Sequence, residues 1–283
     1  MTAMLLDVPA EAYHADADGP RLSSTIARAL VLQTPAHAKQ QHPLLADIPW
    51  KRESVAMDEG TVLHQMLLGD DRCDILDYDD FRTTAAKEAR DAARACGRVP
   101  VLRKKWDELV LLGEALKRQV AEFPATPPLF VDGRAEQTIV WDEGGVACRA
   151  RLDWLRNDLA CVDDLKKSRS AQPRAWQRSF WAYGYDMQAA FYLRGVRAAF
   201  GKEPLFRWVA IEPDPPYALS VFQLSDAALD AAQVKIDMAL EIWSECLRTG
   251  VWPSYPRSIQ TVELPGWMAV ANWDDSSLTE VPF

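Results

Sequence analysis

The chain has 283 residues, 48% hydrophobic and 26% charged, with 32 Lys and Arg against 41 Asp and Glu for a formal net charge of −9. A chain of this length and composition buries one large core or two small ones, which excludes disordered, collagen-like and disulfide-stapled classes. Net acidity also argues against a protein that coats nucleic acid, because phosphate contacts need Lys and Arg.

No stretch approaches the roughly 18 consecutive apolar residues of a membrane span. Met4-Leu5-Leu6 runs directly into Asp7 without a basic region before it. Neither a membrane partner nor a secretory signal is therefore expected, and the expected location is the cytoplasm. The five cysteines (Cys73, Cys96, Cys148, Cys161, Cys246) are scattered and form no C-x-x-C pair. Reduced thiols are expected rather than a disulfide framework, a four-Cys zinc site or an iron–sulfur cluster.

In chain order, residues 1–20 are acidic and expected to be loosely ordered. Residues 21–260 are expected to form a single domain, and 261–283 an acidic C-terminal tail. Ser23-Ser24 reads as an N-cap pair for a helix running to about Lys39. Further helices are expected from Met57 to Gly69, over 84–96 and over 101–123, where Pro124, Pro127 and Pro128 end the helical part. The period then changes. Gln137–Trp141, Val146–Leu155 and Leu159–Leu165 alternate or are β-rich, with turns at Glu143-Gly144-Gly145 and Asn157-Asp158, a three-strand meander. Helices over 171–181 and 185–200, strands over Phe206–Ile211 and Leu219–Gln223, and a long amphipathic helix over 225–249 complete the pattern. This order suggests an α/β or α+β domain with an N-terminal helical part.

The stretch from Arg149 to Lys166 is the most informative. With Asn157-Asp158 as the turn centre, Asp153 faces Val162, and Asp164 is its diagonal neighbour on the same face. Lys166 follows on that face, and Asp163 points to the other. Two carboxylates side by side need compensation. A divalent cation supplies it, since Mg²⁺ typically takes one or two carboxylates plus waters and phosphate oxygens. Lys166 is placed to hold or deprotonate an attacking water, as metal-assisted phosphodiester hydrolysis requires. The bland alternative is a salt-bridge cluster on a solvated strand face.

These residues carry a resemblance. Asp153 followed by Asp164-Leu165-Lys166 resembles the PD-(D/E)XK nuclease signature. Gln188-Ala-Ala-Phe-Tyr192 is similar to the Q-x-x-x-Y motif of its RecB-like branch, preceded by Tyr183-Gly184-Tyr185-Asp186. Gln188 and Tyr192 are i and i+4 on one helix face, although a core tyrosine beside a solvated glutamine has the same spacing. Gly60-Thr-Val-Leu-His64 is similar to the Gly-x-x-x-His helix of that branch. Together with Ser23-Ser24, Pro35-Ala36-His37, Glu136, Arg151-Leu152-Asp153 and Trp252-Pro253, the motifs resemble the RecE-type exonuclease VIII domain of phages and prophages, from about residue 20 to 256. Lys167 departs from that pattern, which usually has Thr or Ser after the catalytic lysine, and adds positive charge near the site.

The resemblance implies an α/β fold with a restriction-endonuclease-like core, a central mixed sheet flanked by helices. It implies a Mg²⁺-dependent exodeoxyribonuclease, tolerant of Mn²⁺ and using two ions, that degrades duplex DNA ends 5′→3′ to leave 3′ overhangs. Asp153, Asp164 and the Leu165 carbonyl are the implied metal ligands, with Glu136 and His64 as further ones and Lys166 at the attacking water. Gln188 and Tyr192 would orient the DNA strand or Lys166. A ring-shaped homo-oligomer and a RecT-like single-strand annealing partner are implied too. Competing readings are an endonuclease of restriction or repair type, a RecB-like repair nuclease module, and a DNA-end-binding protein with a vestigial site.

Of the eleven tryptophans, Trp141, Trp154, Trp208 and Trp243 fit core positions. Trp176 and Trp181, just after the hairpin, are candidate DNA contacts, with Tyr185, Lys167, Arg169 and Arg174 beside them. Charge location reconciles this with −9. Residues 1–20 and 261–283 carry four carboxylates each and no Lys or Arg, so 21–260 carries only −1. Within it, 149–178 holds eight Lys and Arg against four Asp. An acidic exterior around a confined positive groove is expected.

Overall fold

In a computed structural model, residues 3–6, 8, 10–16, 18–48, 55–69 and 73–264 are described. The expected tail at 261–283 lies almost wholly outside them. The elements in chain order are β1 (Met4–Leu6), α1 (Ala10–Ala15), α2 (Ser24–Leu32), α3 (Pro35–Gln41), α4 (Val55–Leu68), β2 (Cys73–Leu76), α5 (Thr84–Ala95), β3 (Val99–Leu102) and α6 (Arg103–Glu122). There follow β4 (Gly133–Glu143), β5 (Val146–Arg156), β6 (Cys161–Lys167), α7 (Pro173–Tyr183), α8 (Tyr185–Phe200), β7 (Leu205–Ile211), β8 (Leu219–Phe222) and α9 (Asp226–Thr249).

The main sheet has the order β1-β4-β5-β6-β7-β8, and only β6 and β7 pair in parallel. The parallel step needs a crossover, which α7 and α8 provide. The expected meander is therefore β4-β5-β6, and the sheet is mixed and mostly antiparallel. Strand β6 is covered on both faces. Val162 joins a core made with α2, α8 and α9. Leu165 joins a second core with Val62 and Leu63 of α4 and Leu109, Leu112 and Leu116 of α6. This is the layered α/β arrangement implied by the motifs.

Burial on both faces makes a charged residue in β6 costly unless it is paired. Asp163 is 1% exposed. Its carboxylate accepts from Arg207 Nε at 2.6 Å and Nη2 at 2.9 Å on the neighbouring strand, and from the Phe130 amide at 2.9 Å. Helix α8 is buried from Asp186 to Val196. Gly195 is needed there, since a Cβ would come within 2.9 Å of the Trp141 ring.

Three local expectations are corrected. The helix expected from Ser23 to Lys39 is two helices. Pro35 lacks an N–H and cannot continue a helix, so α2 ends and Thr34 caps a new start at α3. The Pro35-Ala36-His37 and Trp252-Pro253 motifs meet here. The Ala36 amide donates to the Pro253 carbonyl at 3.0 Å, and Trp252 packs edge-on against Trp243. These motifs fasten the C-terminal segment to α3. Second, β2 and β3 were not expected. They form a separate parallel pair joined through α5. Third, residues 1–20 are not a loose arm throughout. Strand β1 pairs with β4, and the buried Asp16 binds Arg21, His42 and Arg149. An edge strand pairs through its backbone and a buried carboxylate through partners far along the chain, so net charge gave no sign of either.

Replacing Asp163 with Ala leaves Arg207 buried without its counter-charge. The expected loss is about 3–5 kcal/mol of unfolding free energy, read by urea denaturation. The double replacement Asp163→Leu/Arg207→Met is expected to recover most of it. A loss below about 1 kcal/mol in the single variant contradicts this account of β6.

Candidate active site

The site arises where the sheet forks. β5 and β6 share only the pairs Trp154↔Asp163 and Leu155↔Val162. Beyond them β5 stays with β4 while β6 stays with β7. The observed register is two residues from the one expected, so Asp164 falls opposite Asp153 rather than diagonal to it. A shift of two leaves the faces unchanged, so the pair still meets.

The β4–β5 ladder runs from Gly133↔Arg156 to Glu143↔Val146 but omits Glu136 and the facing Asp153. Glu136 has φ 55°, which an L residue adopts at a cost. Leu152 and Leu155 lie in the same core although three residues apart, so the in–out alternation of β5 reverses at Asp153. This reversal brings both carboxylates to the fork.

The fork strips β6 of ladder partners, and side chains replace them. The Leu165 amide donates to Asp153 Oδ2 at 2.9 Å. The Leu165 carbonyl faces His64 Nε2 at 3.1 Å. His64 comes from α4, one turn after Gly60. Its Nε2 is 3.5 Å from Asp153 Oδ2 and its Nδ1 is 3.7 Å from Glu136 Oε1. One ligand atom each from His64, Glu136 and Asp153 lie within 4.8 Å of one another. Arg151 holds Glu136 through Nε at 2.6 Å, and reaches the Thr138 hydroxyl at 3.0 Å and the Val8 carbonyl at 2.8 Å.

Asp164 is fully buried. Lys166 pairs with its Oδ1, and Gln188 Nε2 donates to its Oδ2 at 3.0 Å. The Lys166 ammonium stands 5.3 Å from the centre of the Tyr185 ring. Gln188 thus points from α8 at the acidic pair.

Electrostatics follow from this crowding. Burial and then the Asp153 charge push Asp164 up to about 7, against the pull of Lys166 and His64. For His64, burial opposes the charged form, but Asp153 and Glu136 outweigh it and carry the imidazole up to about 9. Burial likewise opposes a charged Lys166, yet Asp164 and Asp153 raise it, so it is held as an ammonium. Burial works against Glu136 ionising, but His64 and Arg151 lower it. Protons on Asp164 and His64 therefore do part of what a cation would do.

The donor set fits such a cation. Carboxylates, a backbone carbonyl and a single imidazole suit a small hard divalent ion. His64, Glu136 and Asp153 offer ligand atoms directly, with the Leu165 carbonyl and Asp164 adjacent.

The remaining candidates divide. Tyr192 is buried, with its ring 6.1 Å from that of Phe206. Burial raises its hydroxyl well above the usual range. It is a core residue one turn from Gln188, out of reach of DNA. Trp176 is 2% exposed and stacked on Phe222 at 4.0 Å, so the expected DNA contact there is corrected. Lys167 is corrected too, because it alternates to the opposite face of β6 and pairs with Glu59 of α4. Glu59 also holds Lys105 at 3.1 Å. Arg169 and Arg174 are exposed and Tyr185 is half-buried beside Lys166. Arg151 and Glu59 were missed as supports. Arg151 stands two residues before Asp153, and that spacing was the available signal for it.

The fold and these residues are matched by a family model described as a PDDEXK-like domain of unknown function (DUF3799), over residues 31–265. The chain belongs to this family. It is accordingly a member of the PD-(D/E)XK nuclease superfamily, whose enzymes are hydrolases that typically use divalent metal ions. The crystal structure of a "putative exonuclease" from Eubacterium rectale is similar, with TM-score 0.60 and 13% identity over 89% of this chain and 97% of that one. At that identity the likeness is one of fold. The crystal structure of SSO0001 aligns with TM-score 0.27 and 15% identity over 63% of this chain and 85% of that one, too low for argument. No curated protein matches. Among the described residues no helix is long and apolar enough to cross a membrane.

The pKa directions predict how metal and protons compete. Asp164 holds a proton to about 7 in the fold but to about 3.8 as an ordinary aspartate, and His64 to about 9 rather than 6.5. The folded state binds more protons in both cases, so without metal the stability contributed by these two groups falls as pH rises from about 4 to 9. A divalent cation must displace both protons. The increase in Tm from added Mn²⁺ is therefore expected to grow between pH 6.5 and 9, by thermal unfolding with and without metal. A metal-induced shift independent of pH contradicts this.

Proposed function

We propose that this protein is a Mg²⁺-dependent exodeoxyribonuclease, tolerant of Mn²⁺, that resects duplex DNA ends 5′→3′. The observation that carries the proposal is the fork itself. Asp153, Asp164 and Lys166 converge there with His64, Glu136 and Gln188, the elements that acid-ligated phosphodiester hydrolysis requires. Polarity and substrate rest on the likeness of the motif order to RecE-type exonucleases.

Asp153, Asp164 and the Leu165 carbonyl would hold one ion, and Glu136 with His64 a second. The bound cations would offset the clustered carboxylates and stabilise charge on the phosphoryl and leaving oxygens. Lys166, kept as an ammonium beside Asp164, would orient the attacking water and donate a hydrogen bond as charge develops. The water oxygen bonds to phosphorus, the bond from phosphorus to the 3′ oxygen breaks, and the departing nucleotide keeps its 5′ phosphate. Gln188 fixes the rotamer of Asp164, and Arg151 that of Glu136. The 3′ overhang would pass to a RecT-like annealing protein, and a ring-shaped homo-oligomer would supply processivity.

Digestion of linear duplex labelled separately at its 5′ and 3′ ends, with Mg²⁺, tests the reading. Loss of the 5′ label first is expected, with closed circular duplex spared. Asp164→Ala and Lys166→Ala are each expected to lower the rate by at least about 10²-fold. Nicking of the circle, or wild-type rates in Asp164→Ala, overturns the proposal.

A further inference from the structure

The segment that follows the catalytic strand is unusual in this chain. Ser168–Tyr183 contains Arg169, Arg174 and Arg178 and no Asp or Glu, while the rest of the protein carries −12. Most of it is α7, whose two sides differ. Trp176 and Phe180, one turn apart, are buried and anchor the helix against Trp208 and Phe222. Arg174, Gln177, Arg178 and Trp181 follow the i, i+3, i+4, i+7 rule for a single helix face, and all four are exposed.

Two features distinguish this face from a solvated one. The arginines have no ion pair among the described residues. Arg21, Arg98, Arg103, Arg149, Arg151, Arg156, Arg194, Arg207 and Arg248, by contrast, each bind a carboxylate, while among the described residues Arg118, Arg134 and Arg257 lack one singly rather than as a pair on one helix face. The stripe ends at Trp181, and Tyr183 closes the helix on another side; both are large aromatics left in water. Trp181 is 49% and Tyr183 56% exposed. Lys235 Nζ lies 5.7 Å from the Trp181 ring centre. Arg28 donates to the Tyr183 carbonyl at 2.6 Å, which fixes the backbone before the left-handed turn at Gly184 (φ 62°).

The C-terminal end of α7 is continuous with the site. The Tyr183 and Tyr185 rings are 5.7 Å apart, and Tyr185 in turn faces the Lys166 ammonium. Unpaired guanidinium groups attract phosphates, and exposed rings stack on bases only where the bases are unpaired. Arg174 and Arg178 are about 6 Å apart along the helix axis, so they can meet different phosphates of one strand.

We propose that the outer face and the C-terminal end of α7 form a track for a single DNA strand at the mouth of the site, with Arg174 and Arg178 on phosphates and Trp181 and Tyr183 stacked on unpaired bases. This deepens the nuclease reading and rests on it for the identity of the strand.

Binding of a fluorescein-labelled oligo(dT) to the full chain in EDTA, where cleavage is blocked, tests the track by anisotropy. Circular dichroism and thermal unfolding check that each variant is folded. Arg174→Ala/Arg178→Ala is expected to bind at least about tenfold more weakly, with the slope of log affinity against log salt shallower by about 1.4, some 0.7 for each lost phosphate contact. Trp181→Ala/Tyr183→Ala is expected to bind at least about tenfold more weakly with the slope unchanged. A blunt duplex and an oligo(U) RNA are expected to bind more weakly than oligo(dT). Affinities within twofold of wild type in both variants, tighter binding of RNA or blunt duplex, or an altered oligomeric state with unaltered affinity in the aromatic variant overturns the track. Mg²⁺-dependent cleavage by the wild type, run in parallel, reports separately on the nuclease reading.

Discussion

The whole site depends on a shortage of backbone partners. Where β5 leaves β6, the amide and carbonyl of Leu165 lose their neighbour on that side. A buried peptide group without a partner is costly. Asp153 accepts from the amide and His64 lies against the carbonyl, so two polar side chains are drawn to one peptide unit. Once they are there, Glu136 faces them from β4, and Asp164 is the preceding residue of β6. Charge is concentrated at the fork because the sheet divides there.

That concentration creates the second constraint. Three carboxylates and two cationic side chains share a small, partly dry volume, where like charges interact strongly. The groups settle it by sharing protons, with Asp164 raised and His64 raised beside it. Asp163, the neighbour of Asp164, faces the same desolvation but meets Arg207 in a planar two-bond pairing. One residue of β6 is thereby committed to holding the sheet together and the next to the acidic cluster with Lys166 and Gln188. Their roles differ only because successive strand residues point to opposite faces.

Much of this was legible in the sequence, for reasons tied to particular residues. A strand period of two put Asp153, Asp164 and Lys166 on one face and Asp163 on the other, and these assignments are insensitive to an even slip in register. The loop at Asn157–Ala160 is longer than a two-residue turn, with Leu159 at φ 60°, and that moved the pairing by two without moving the faces. Helix α4 was readable, but its contact with the fork came through the family resemblance of Gly60 to His64. What could not be read were partners distant in sequence. Glu59 is 108 residues from Lys167, and its presence turns that lysine from a DNA contact into a brace between α4 and β6. Trp176 reads as a DNA contact because it comes just after the hairpin, yet the i, i+4 pair with Phe180 is the buried edge of the same amphipathic helix.

The charge pattern shows why an acidic chain can be built around a phosphate-handling site. Most arginines are consumed internally, bound to carboxylates that hold the N-terminal segment, the sheet and the helices in place. Such pairs are screened and directional, and they leave little positive potential outside. Carboxylates on the remaining surface repel polyanions at long range, within the screening length of about 8–10 Å at ordinary salt. Arg118, Arg134 and Arg257 also lack a carboxylate partner among the described residues, but Arg174 and Arg178 lie together on one face of α7, in a stretch from Ser168 to Tyr183 with no Asp or Glu. Local positive charge on this acidic chain is therefore strongest where arginines stand without neighbouring carboxylates, as they do along α7.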